Sequence, residues 1–352
     1  MQTLTVEAVD PRDDAAFRRW FSVPAVAHPV DQPHLPAQVL SESLADAPPP
    51  GDPYDRWHHL IALVGDEGVG AARIELTSDS PNLAYFTLVV RPDQRRRGIG
   101  SALLAAVESW ALGVGCAVAL SETTRPLPVE TVPGAAFAEQ HGYRAGTVSV
   151  LRTLDLPAPD QHLTAADPGP VPGYRVVTWT DRCPEELLEG RAALNAELGE
   201  IPIKGGWAGG TGPESSDDPA AGPHRQPEVW DGDRVRAYED RLISHGRRAL
   251  CAGAVHEGTG ELVAVTVIAR HGAGRPHVHQ WGTTVARKHR GHRLGMLVKV
   301  ANLRQLASTW PDARQISSWN GATNASMIAI NTALGYRAVG DGTDWGKVLR
   351  SS

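Results

Sequence analysis

A basic, glycine-bearing loop between a predicted strand and a predicted helix is the first feature of the sequence that could do chemistry. Residues 88–107 read LVVRPDQRRRGIGSALLAAV. Gly98 and Gly100 let a ligand approach the backbone where a Cβ would block it. The loop also points the unpaired N–H groups and positive end of a helix at one place, and Arg95–Arg97 add positive charge. The segment therefore predicts a phosphate site, although it has neither the GK[ST] of a P-loop nor a GxGxxG dinucleotide fingerprint.

A second loop of the same kind lies about 195 residues further along the chain. It reads Arg290-Gly291-His292-Arg293-Leu294-Gly295. Arg290 and Gly295 match Arg95 and Gly100, whereas Arg293 stands where the first loop has Gly98. Gly291 is an additional glycine that could restore flexibility to this loop.

Composition and charge exclude several classes of protein. The 352 residues carry 40 acidic and 34 basic side chains, a net charge of −6, which disfavours nucleic acid as a partner. No run of eighteen apolar residues predicts a membrane span, and the first residues lack the pattern of a secretory signal. Three scattered cysteines predict neither disulfides nor a metal site and suit the cytoplasm. The excess of Arg over Lys, with abundant Ala, Gly and Pro, is typical of a GC-rich, actinobacterial genome.

Two halves of the chain show the same order of predicted strands and helices. Residues 1–155 and 173–352 are predicted to form two domains, because the Pro- and Asp-rich stretch 156–172 between them reads as an extended linker. A second low-complexity stretch, Gly205–Pro223, predicts a mobile surface loop. An internal repeat of this length indicates a duplicated domain.

With these motifs the sequence resembles the GNAT superfamily of acetyl-CoA-dependent N-acyltransferases, in a tandem form. The pyrophosphate loop of that family reads [Q/R]-x-x-G-x-[G/A], which Arg95-x-x-Gly98-x-Gly100 fits fully. The resemblance implies an α/β fold: two GNAT domains, each a mostly antiparallel, centrally splayed mixed sheet flanked by helices. It also implies acetyl-CoA as co-substrate, no metal, and direct attack of an amine on the thioester.

A second family motif, N-x-x-[A/M]-x-x-x-Y-x-x-x-G-[F/Y], is present in part. The second half matches it at Asn324, which the resemblance places beside the coenzyme arm, and at Gly335-Tyr336. Asn331 takes the place of the tyrosine that protonates the departing thiolate in many members. The first half retains only Gly142-Tyr143, with Thr131 and Ala138 at the Asn and Tyr positions, so neither half keeps the tyrosine.

A candidate general base distinguishes the halves. Some GNAT members place a base eleven residues before the loop's first residue, and this count gives His279 in the second half but Ala84 in the first. A histidine with a pKa near 6.5 can accept a proton at neutral pH, and His277 on the same strand face could extend a relay. Solvent-facing histidines at a strand entry are an equally good interpretation. The second half is nevertheless predicted to be catalytic and the first a degenerate copy.

The resemblance also assigns the coenzyme contacts. The strands before the two loops are expected to offer their backbone to the thioester and pantetheine arm. The catalytic candidates are His279 and Asn331. The candidate coenzyme contacts are Val89, Val90, Arg95, Arg96, Arg97, Gly98, Ile99 and Gly100 in the first half, and Thr284, Val285, Arg290, Gly291, His292, Arg293, Leu294, Gly295 and Asn324 in the second.

The acceptor is left open by the sequence. The leading hypothesis is acetylation of a primary amine on a small molecule, with Glu197, Glu200, Trp319 and Asn320 as possible pocket residues. The alternatives are a non-catalytic acyl-CoA-binding protein, supported by the missing tyrosine, and an acetyltransferase of a protein or peptide amine. Two fused halves could act as a monomer with an internal pseudo-dimer, or form a homodimer.

Overall fold

The structure, a computed structural model, describes residues 3–48, 55–78, 80–198, 229–272 and 274–349. The chain divides into two compact units. Unit 1 contains the described residues of 1–148 and 340–352, and unit 2 those of 149–211 and 227–339. Within the described residues, no helix is both long and apolar enough to cross a membrane. The predicted loop Gly205–Pro223 and Glu200 lie outside the described residues.

Unit 1 is a mixed sheet with helices on both faces. Its strands lie in the order β1-β2-β3-β4-β5-β12, and β4 and β5 are a parallel pair. The elements are β1 (Leu4–Val9), α1 (Asp14–Asp31), α2 (Leu40–Asp46), β2 (Asp55–Val64), β3 (Glu67–Thr77), β4 (Leu83–Val90), α3 (Ile99–Gly113), β5 (Val118–Pro126), α4 (Pro133–Gln140), the start of β6 (Arg144–Asp155) and the end of β12 (Arg337–Val348).

Unit 2 repeats this arrangement. Its strands lie in the order β6-β11-β10-β9-β8-β7, and β10 and β11 are the parallel pair. The elements are α5 (Asp160–Ala166), β7 (Tyr174–Thr180), α6 (Leu188–Leu198), α7 (Gly232–Ser244), β8 (Arg247–His256), β9 (Leu262–His271), β10 (His277–Val285), α8 (Leu294–Thr309), β11 (Gln315–Gly321) and α9 (Ala325–Ala333), with the end of β6 and the start of β12.

Alternating residues of each sheet form a separate core on each face. In unit 1, Ala84 and Phe86 of β4 pack towards α3, whereas Phe17 and Trp20 of α1 pack on the opposite face. In unit 2, Val278 of β10 and Ile316 of β11 pack towards α8. Neighbouring residues of a strand point to opposite faces of the sheet. The strand residues on either side of Ala84, Phe86, Val278 and Ile316 therefore lie on the other face. That face is covered by α1 in unit 1 and by α6 and α7 in unit 2.

Parts of the last strand of each half, β6 and β12, belong to the other unit and not to the one that a division at residue 155 predicts. Residues Ser149–Asp155 of β6 pair with β11 in unit 2, and residues Gly340–Val348 of β12 pair with β5 in unit 1. Burial explains this exchange, because Leu154 belongs to the core against α8 while Trp345 belongs to the core against α3. The sequential order of the elements contains no signal for such an exchange.

The predicted linker is also more ordered than expected. Within residues 156–172 the structure has α5, whose Leu163 and Ala166 are buried in unit 2 beside α8. Two apolar residues three positions apart, Leu163 and Ala166, place one face of this short helix in the core. The Pro- and Asp-rich residues around it form the turns at its two ends.

Candidate active site

The two predicted phosphate loops have the same backbone path. In unit 1, Arg96 and Gly98 adopt positive φ angles of 61° and 81°. In unit 2, the corresponding Gly291 and Arg293 adopt φ angles of 86° and 58°. The glycine has therefore exchanged places with an arginine between the two left-handed positions, which explains how unit 2 keeps the loop without the first glycine of the motif.

Both loops lead directly into a helix whose first N–H groups have no acceptor within the helix. These are the N–H groups at the start of α3 and of α8. A Cβ on Gly295 would lie 3.3 Å from Ile330 and 3.7 Å from Val285, and a Cβ on Gly100 would lie 3.2 Å from Phe137. Each loop is thus a narrow cradle of backbone donors that fits a pyrophosphate.

Three arginines of the loops make contacts within the protein. Arg95 donates from Nε to Val90 O at 3.1 Å and forms an ion pair with Asp31 at 2.5 Å. Arg290 repeats the first contact with Val285 O at 3.0 Å. Arg293 donates to Ala166 O at 3.4 Å, at the end of α5. These side chains fix the strand and the helix on either side of the cradle, whereas Arg96 and Arg97 are exposed beside it.

An opening between the parallel strands lies next to each cradle. The pairing of β10 with β11 ends at Gln280 and Ser318, and that of β4 with β5 ends at Tyr85 and Leu120. Beyond these pairs, the strand that leads to the loop can offer its backbone to an extended ligand. In unit 2 this stretch includes Thr284 and Val285, and in unit 1 it includes Val89 and Val90.

A chain of imidazole and hydroxyl groups lies at the apex of the opening in unit 2. His277 Nε2 is 2.9 Å from Ser317 Oγ, and the same hydroxyl is 3.1 Å from His279 Nδ1. The His279 ring also contacts the rings of His277 and His271, with centroids 4.8 and 5.5 Å apart. The structure therefore joins the two predicted histidines through Ser317.

Burial keeps these histidines neutral. It lowers the pKa of His279 well below 6.5, and His277, His271, Arg247 and Arg275 lower it further. Burial likewise lowers the pKa of His277 to about 4 and that of His271 to about 3. The expectation of an ordinary pKa near 6.5 for His279 was wrong, because a desolvated site beside positive charges disfavours the imidazolium.

The equivalence of His279 with Ala84 was also wrong. A β-bulge between Gln280 and Thr283 adds a residue to β10, whereas β4 pairs with β3 without a shift. Ala84 consequently packs towards α3, while His279 lies on the opposite face. Tyr85, next to Ala84, is the residue of unit 1 on the face that corresponds to His279.

A second polar chain reaches the opening of unit 2 from the opposite face. Lys299 of α8 donates from Nζ to Asn331 Oδ1 at 2.7 Å, and Asn331 Nδ2 donates to Asn320 Oδ1 at 2.6 Å. Lys299 and Asn331 are buried, and Asn320 lies near the end of β11. Asn331 thus sits between a buried amine and the opening.

Asn324 caps the start of a helix beside the opening. It is the N-cap of α9, and its Oδ1 accepts a hydrogen bond from Met327 N at 3.1 Å. Glu197, a predicted pocket residue, accepts a hydrogen bond from Arg287 N at 3.2 Å. Both side chains therefore stabilise the backbone next to the opening.

A small cavity of about 30 Å³ lies between β10 and the helices α6 and α7. Trp281, Gly282 and Thr284 form one wall, beside the free stretch of β10. Asn195 and Tyr238 form the other wall, and within the described residues Asn195 Nδ2 and Tyr238 Oη are buried without a hydrogen-bond partner. Unsatisfied buried donors next to a cavity indicate a place for a polar ligand group or a water molecule.

Unit 1 carries a different set of groups on its corresponding face. Glu122 of β5 lies two residues beyond the end of the pairing with β4, directly opposite Asp344 of β12. Burial raises the pKa of Glu122 well above its usual value, and the charge of Asp344 adds to the effect. Nearby, Arg73 forms an ion pair with Glu75 at 2.6 Å and stacks on Trp57 at 4.4 Å.

Several of these groups were absent from the sequence-based prediction. Glu122 could have been found by asking which residues lie beyond the parallel pairing, and Ser317 by asking which residue of β11 pairs with His279. Lys299 carries a clearer signal, because it interrupts the apolar run Met296–Val300 in the middle of a helix. Asn195 and Tyr238 carry none, since their role depends on a cavity formed by three separate elements.

The comparisons with known proteins agree with this geometry. Residues 26–130 match the Acetyltransferase (GNAT) family. Over 99% of this chain and 100% of the other, the structure superposes on a tandem GNAT protein from the clavulanic acid biosynthesis pathway, without acetyl-CoA, at 27% identity and a TM-score of 0.80. A search of curated proteins gave no match.

More distant structures share the fold. A GCN5-related N-acetyltransferase from Sphaerobacter thermophilus is 17% identical over 99% of this chain and 96% of the other, with a TM-score of 0.64. A putative acetyltransferase from Pyrococcus horikoshii is 13% identical over 99% and 91%, with a TM-score of 0.55. At these identities the likeness concerns the fold alone.

Together, the splayed sheets, the loops and these matches define an acyltransferase of the acetyl-CoA-dependent class. Residues 26–130 thus match the GNAT acetyltransferases, and the whole chain is similar to a protein of the tandem type, which confirms the resemblance.

Proposed function

We propose that this protein transfers an acetyl group from acetyl-CoA to a primary amine of a small molecule, and that unit 2 performs the transfer. The observation that carries the proposal is the His279–Ser317–His277 chain at the apex of the β10–β11 opening, next to a pyrophosphate cradle. Unit 1 has a cradle of the same shape and is proposed to hold coenzyme as well.

The coenzyme contacts follow from the cradle and the opening. The backbone from Gly291 to Gly295 would bind the pyrophosphate at the start of α8, where the helix dipole favours negative charge. Thr284 and Val285 would hold the pantetheine arm by backbone hydrogen bonds, which directs the thioester towards the apex of the opening. Acetyl-CoA supplies the activated acyl group.

The reaction forms one bond and breaks another without a covalent enzyme intermediate. The amine nitrogen attacks the thioester carbon, the C–N bond forms, and the C–S bond then breaks to release the thiolate. Holding the two reactants in this geometry provides much of the acceleration. Backbone donors of β10 would stabilise the oxyanion of the tetrahedral intermediate.

The histidine chain provides a route for the proton of the amine. Because His279 is neutral, it is always ready to accept a proton, and Ser317 connects it to His277. A lowered pKa is adequate for this task, since the nitrogen becomes strongly acidic once it is bonded to the carbonyl carbon. The relay returns to its starting state when the proton passes to solvent.

The acceptor is proposed to be small because the cavity beside Gly282 is small and has two unsatisfied donors in its mostly apolar wall. Asn195 Nδ2 and Tyr238 Oη could donate to an oxygen of the acceptor. The cavity lies on the face of unit 2 that also holds His279, since Val267 of the cavity wall and Ala269, the partner of His279, are two residues apart on β9.

The proposed compartment is the cytoplasm. Cys116, Cys183 and Cys251 are all buried and unpaired in the structure. Free, buried thiols suit a reducing environment.

The function is tested by measuring free thiol release from acetyl-CoA while a panel of primary amines is supplied, with mass spectrometry of the products. The expected result is amine-dependent thiol release and a product heavier by one acetyl group. A parallel arm supplies lysine-containing peptides. Thiol release with peptides alone would contradict the small-molecule proposal, and acetyl-CoA binding without release for any acceptor would favour a non-catalytic acyl-CoA-binding protein.

A further inference from the structure

Within the part of the chain that the structure describes, a lysine with no carboxylate partner is buried in the core of unit 2. Lys299 is 1% exposed, in the middle of α8. Its hydrogen-bond acceptor is the neutral amide oxygen of Asn331. Burying an amine without an opposite charge is unfavourable for folding, so a residue of this kind calls for a functional explanation.

Among the described residues, Tyr336 is a titratable group in contact with Lys299. The Nζ atom lies over the ring of Tyr336, 5.2 Å from its centroid. Burial raises the pKa of Tyr336, which keeps its hydroxyl neutral. Burial alone lowers the pKa of Lys299 to about 7. The amine therefore gains or loses its charge in response to a new neighbouring charge at neutral pH.

The amide of Asn331 connects this amine to the opening. A lysine only donates, so the Asn331 atom that it contacts is the oxygen, and the amide nitrogen must point the other way. That nitrogen donates one hydrogen to Asn320 Oδ1, near the free end of β11. An amide nitrogen carries two hydrogens, which leaves a second donor on the side of Asn331 that faces Asn320.

We propose that Lys299 stabilises the departing thiolate of coenzyme A in unit 2 by positioning and polarising the amide of Asn331. The proposal rests on the proposed function, because the thiolate must form at the β10–β11 opening. Asn331 would donate to the sulfur through its second N–H group, and the ammonium group of Lys299 would add positive charge behind it. Lys299 is thus a positioning residue, and Asn331 provides the contact.

Unit 1 offers an internal comparison for this inference. The position on α3 that corresponds to Lys299 is Leu104, which is buried in an apolar core. Coenzyme A bound in unit 1 is therefore expected to keep an ordinary thiol, whereas coenzyme A bound in unit 2 should form the thiolate more readily.

The test is a pH titration of bound coenzyme A, followed by the ultraviolet absorbance of the thiolate. The Gly100→Trp variant blocks the cradle of unit 1 and isolates unit 2, and Gly295→Trp isolates unit 1. In the Gly100→Trp protein, we expect the acid dissociation constant of the bound thiol to be at least about tenfold greater than that of free coenzyme A, a pKa lower by one unit. In the Gly295→Trp protein, we expect the value of free coenzyme A.

Two further variants, each made in the Gly100→Trp background, keep the test informative if one fails to fold. Lys299→Met removes the positive charge of the amine. Asn331→Asp keeps the shape of the side chain, but its carboxylate offsets the positive charge of Lys299. Both should return the thiol to the value of free coenzyme A. Asn302→Leu is the matched control, because Asn302 is buried on the same helix but donates to Leu250 O, away from the opening. It should leave the thiol unchanged.

An unshifted thiol in the Gly100→Trp protein, or a shift that persists in both Lys299→Met and Asn331→Asp, would overturn the inference. Calorimetry of the same samples separates this outcome from failure of the proposed function. If coenzyme A does not bind to the Gly100→Trp protein at all, unit 2 has no coenzyme site and both proposals fall. If it binds with an ordinary thiol, only the role of Lys299 is lost.

Discussion

The two units share the backbone path of the proposed coenzyme loop but differ in the side chains next to it. Unit 2 has the neutral chain His279–Ser317–His277, while unit 1 has the carboxyl groups of Glu122 and Asp344. On the helix after the loop, unit 2 has a buried amine at Lys299, where unit 1 has Leu104. One backbone framework can therefore hold two unrelated groups of polar side chains, so the function of each unit must be argued from its own side chains.

The cradles themselves show how backbone geometry outlasts residue identity. Both have two left-handed positions, and the glycine occupies the second in unit 1 and the first in unit 2. An arginine accepts the other position in each case, at Arg96 and Arg293. A search for the fixed pattern [Q/R]-x-x-G-x-[G/A] therefore misses the second loop, although its backbone has the same conformation.

The largest expected effect tests the histidine chain. His279→Ala should lower kcat for amine acetylation by about 100-fold or more, because the proton of the amine loses its acceptor. His271→Gln, which changes a neighbouring ring that has no bond to Ser317, should cost less than about tenfold. Steady-state kinetics of thiol release measures both. Equal losses in the two variants would show that the cluster acts only by packing.

The next largest effect is that of acid, which should destabilise unit 2 more than unit 1. His271, His277 and His279 of unit 2 are neutral in the fold but gain a proton near pH 6.5 once unfolded, so stability is lost as the pH falls below 6.5. The expected loss is about 1–2 kcal/mol per histidine between pH 6.5 and 5.

Unit 1 should resist acid better. Its most strongly shifted histidine is His59, with a pKa lowered to about 3 by burial, while His34 and His58 are shifted less. Hydrogen exchange at pH 7 and pH 5 measures the opening of each unit from its own peptides. Faster acid-induced exchange in unit 1 than in unit 2 would contradict this ordering. His277→Gln should make unit 2 less sensitive to acid.

A smaller effect concerns the carboxyl of unit 1. The pKa of Glu122 is raised in the fold, so it contributes stability at low pH that is lost as the pH rises above its usual value. Glu122→Gln should therefore stabilise unit 1 at pH 7 by about 0.5–2 kcal/mol, with no gain near pH 4. Denaturant unfolding at the two pH values checks this. A gain of the same size at both would assign it to packing.

The smallest effect tests the exchanged glycine. Gly98→Arg should lower the free energy of unfolding by about 1 kcal/mol, because a side chain is placed at positive φ. Adding Arg96→Gly recreates the order of unit 2 and should bring stability back to within about 0.5 kcal/mol of the original protein. A double variant no more stable than Gly98→Arg would show that the two loops are not interchangeable.

Sequence patterns were sufficient for the framework of the site. The strand and the helix predicted on either side of the first loop are present as β4 and α3, and β10 and α8 flank the second loop in the same way. These elements have strong periodicity and are bounded by glycine-containing loops, which local sequence describes well. The positions of the two loops followed from these elements.

The remaining features depend on contacts between distant parts of the chain. The bulge at Trp281 and Gly282 shifts the alignment of His279 by one residue, and a shift of one residue changes the face of a strand. The exchange of β6 and β12 arises from which core buries Leu154 and Trp345. The pKa of His279 depends on burial by several elements, which no single segment of sequence contains.

The central claim, that unit 2 carries out the transfer, is tested most directly by amine-dependent thiol release from the two cradle variants. Gly295→Trp should reduce the rate by about 100-fold or more, since a large side chain there meets Ile330 and Val285 and excludes the coenzyme. Gly100→Trp should retain most of the activity of the original protein. The reverse result, with activity lost only in Gly100→Trp, would contradict the account and assign catalysis to unit 1 and its carboxyl at Glu122.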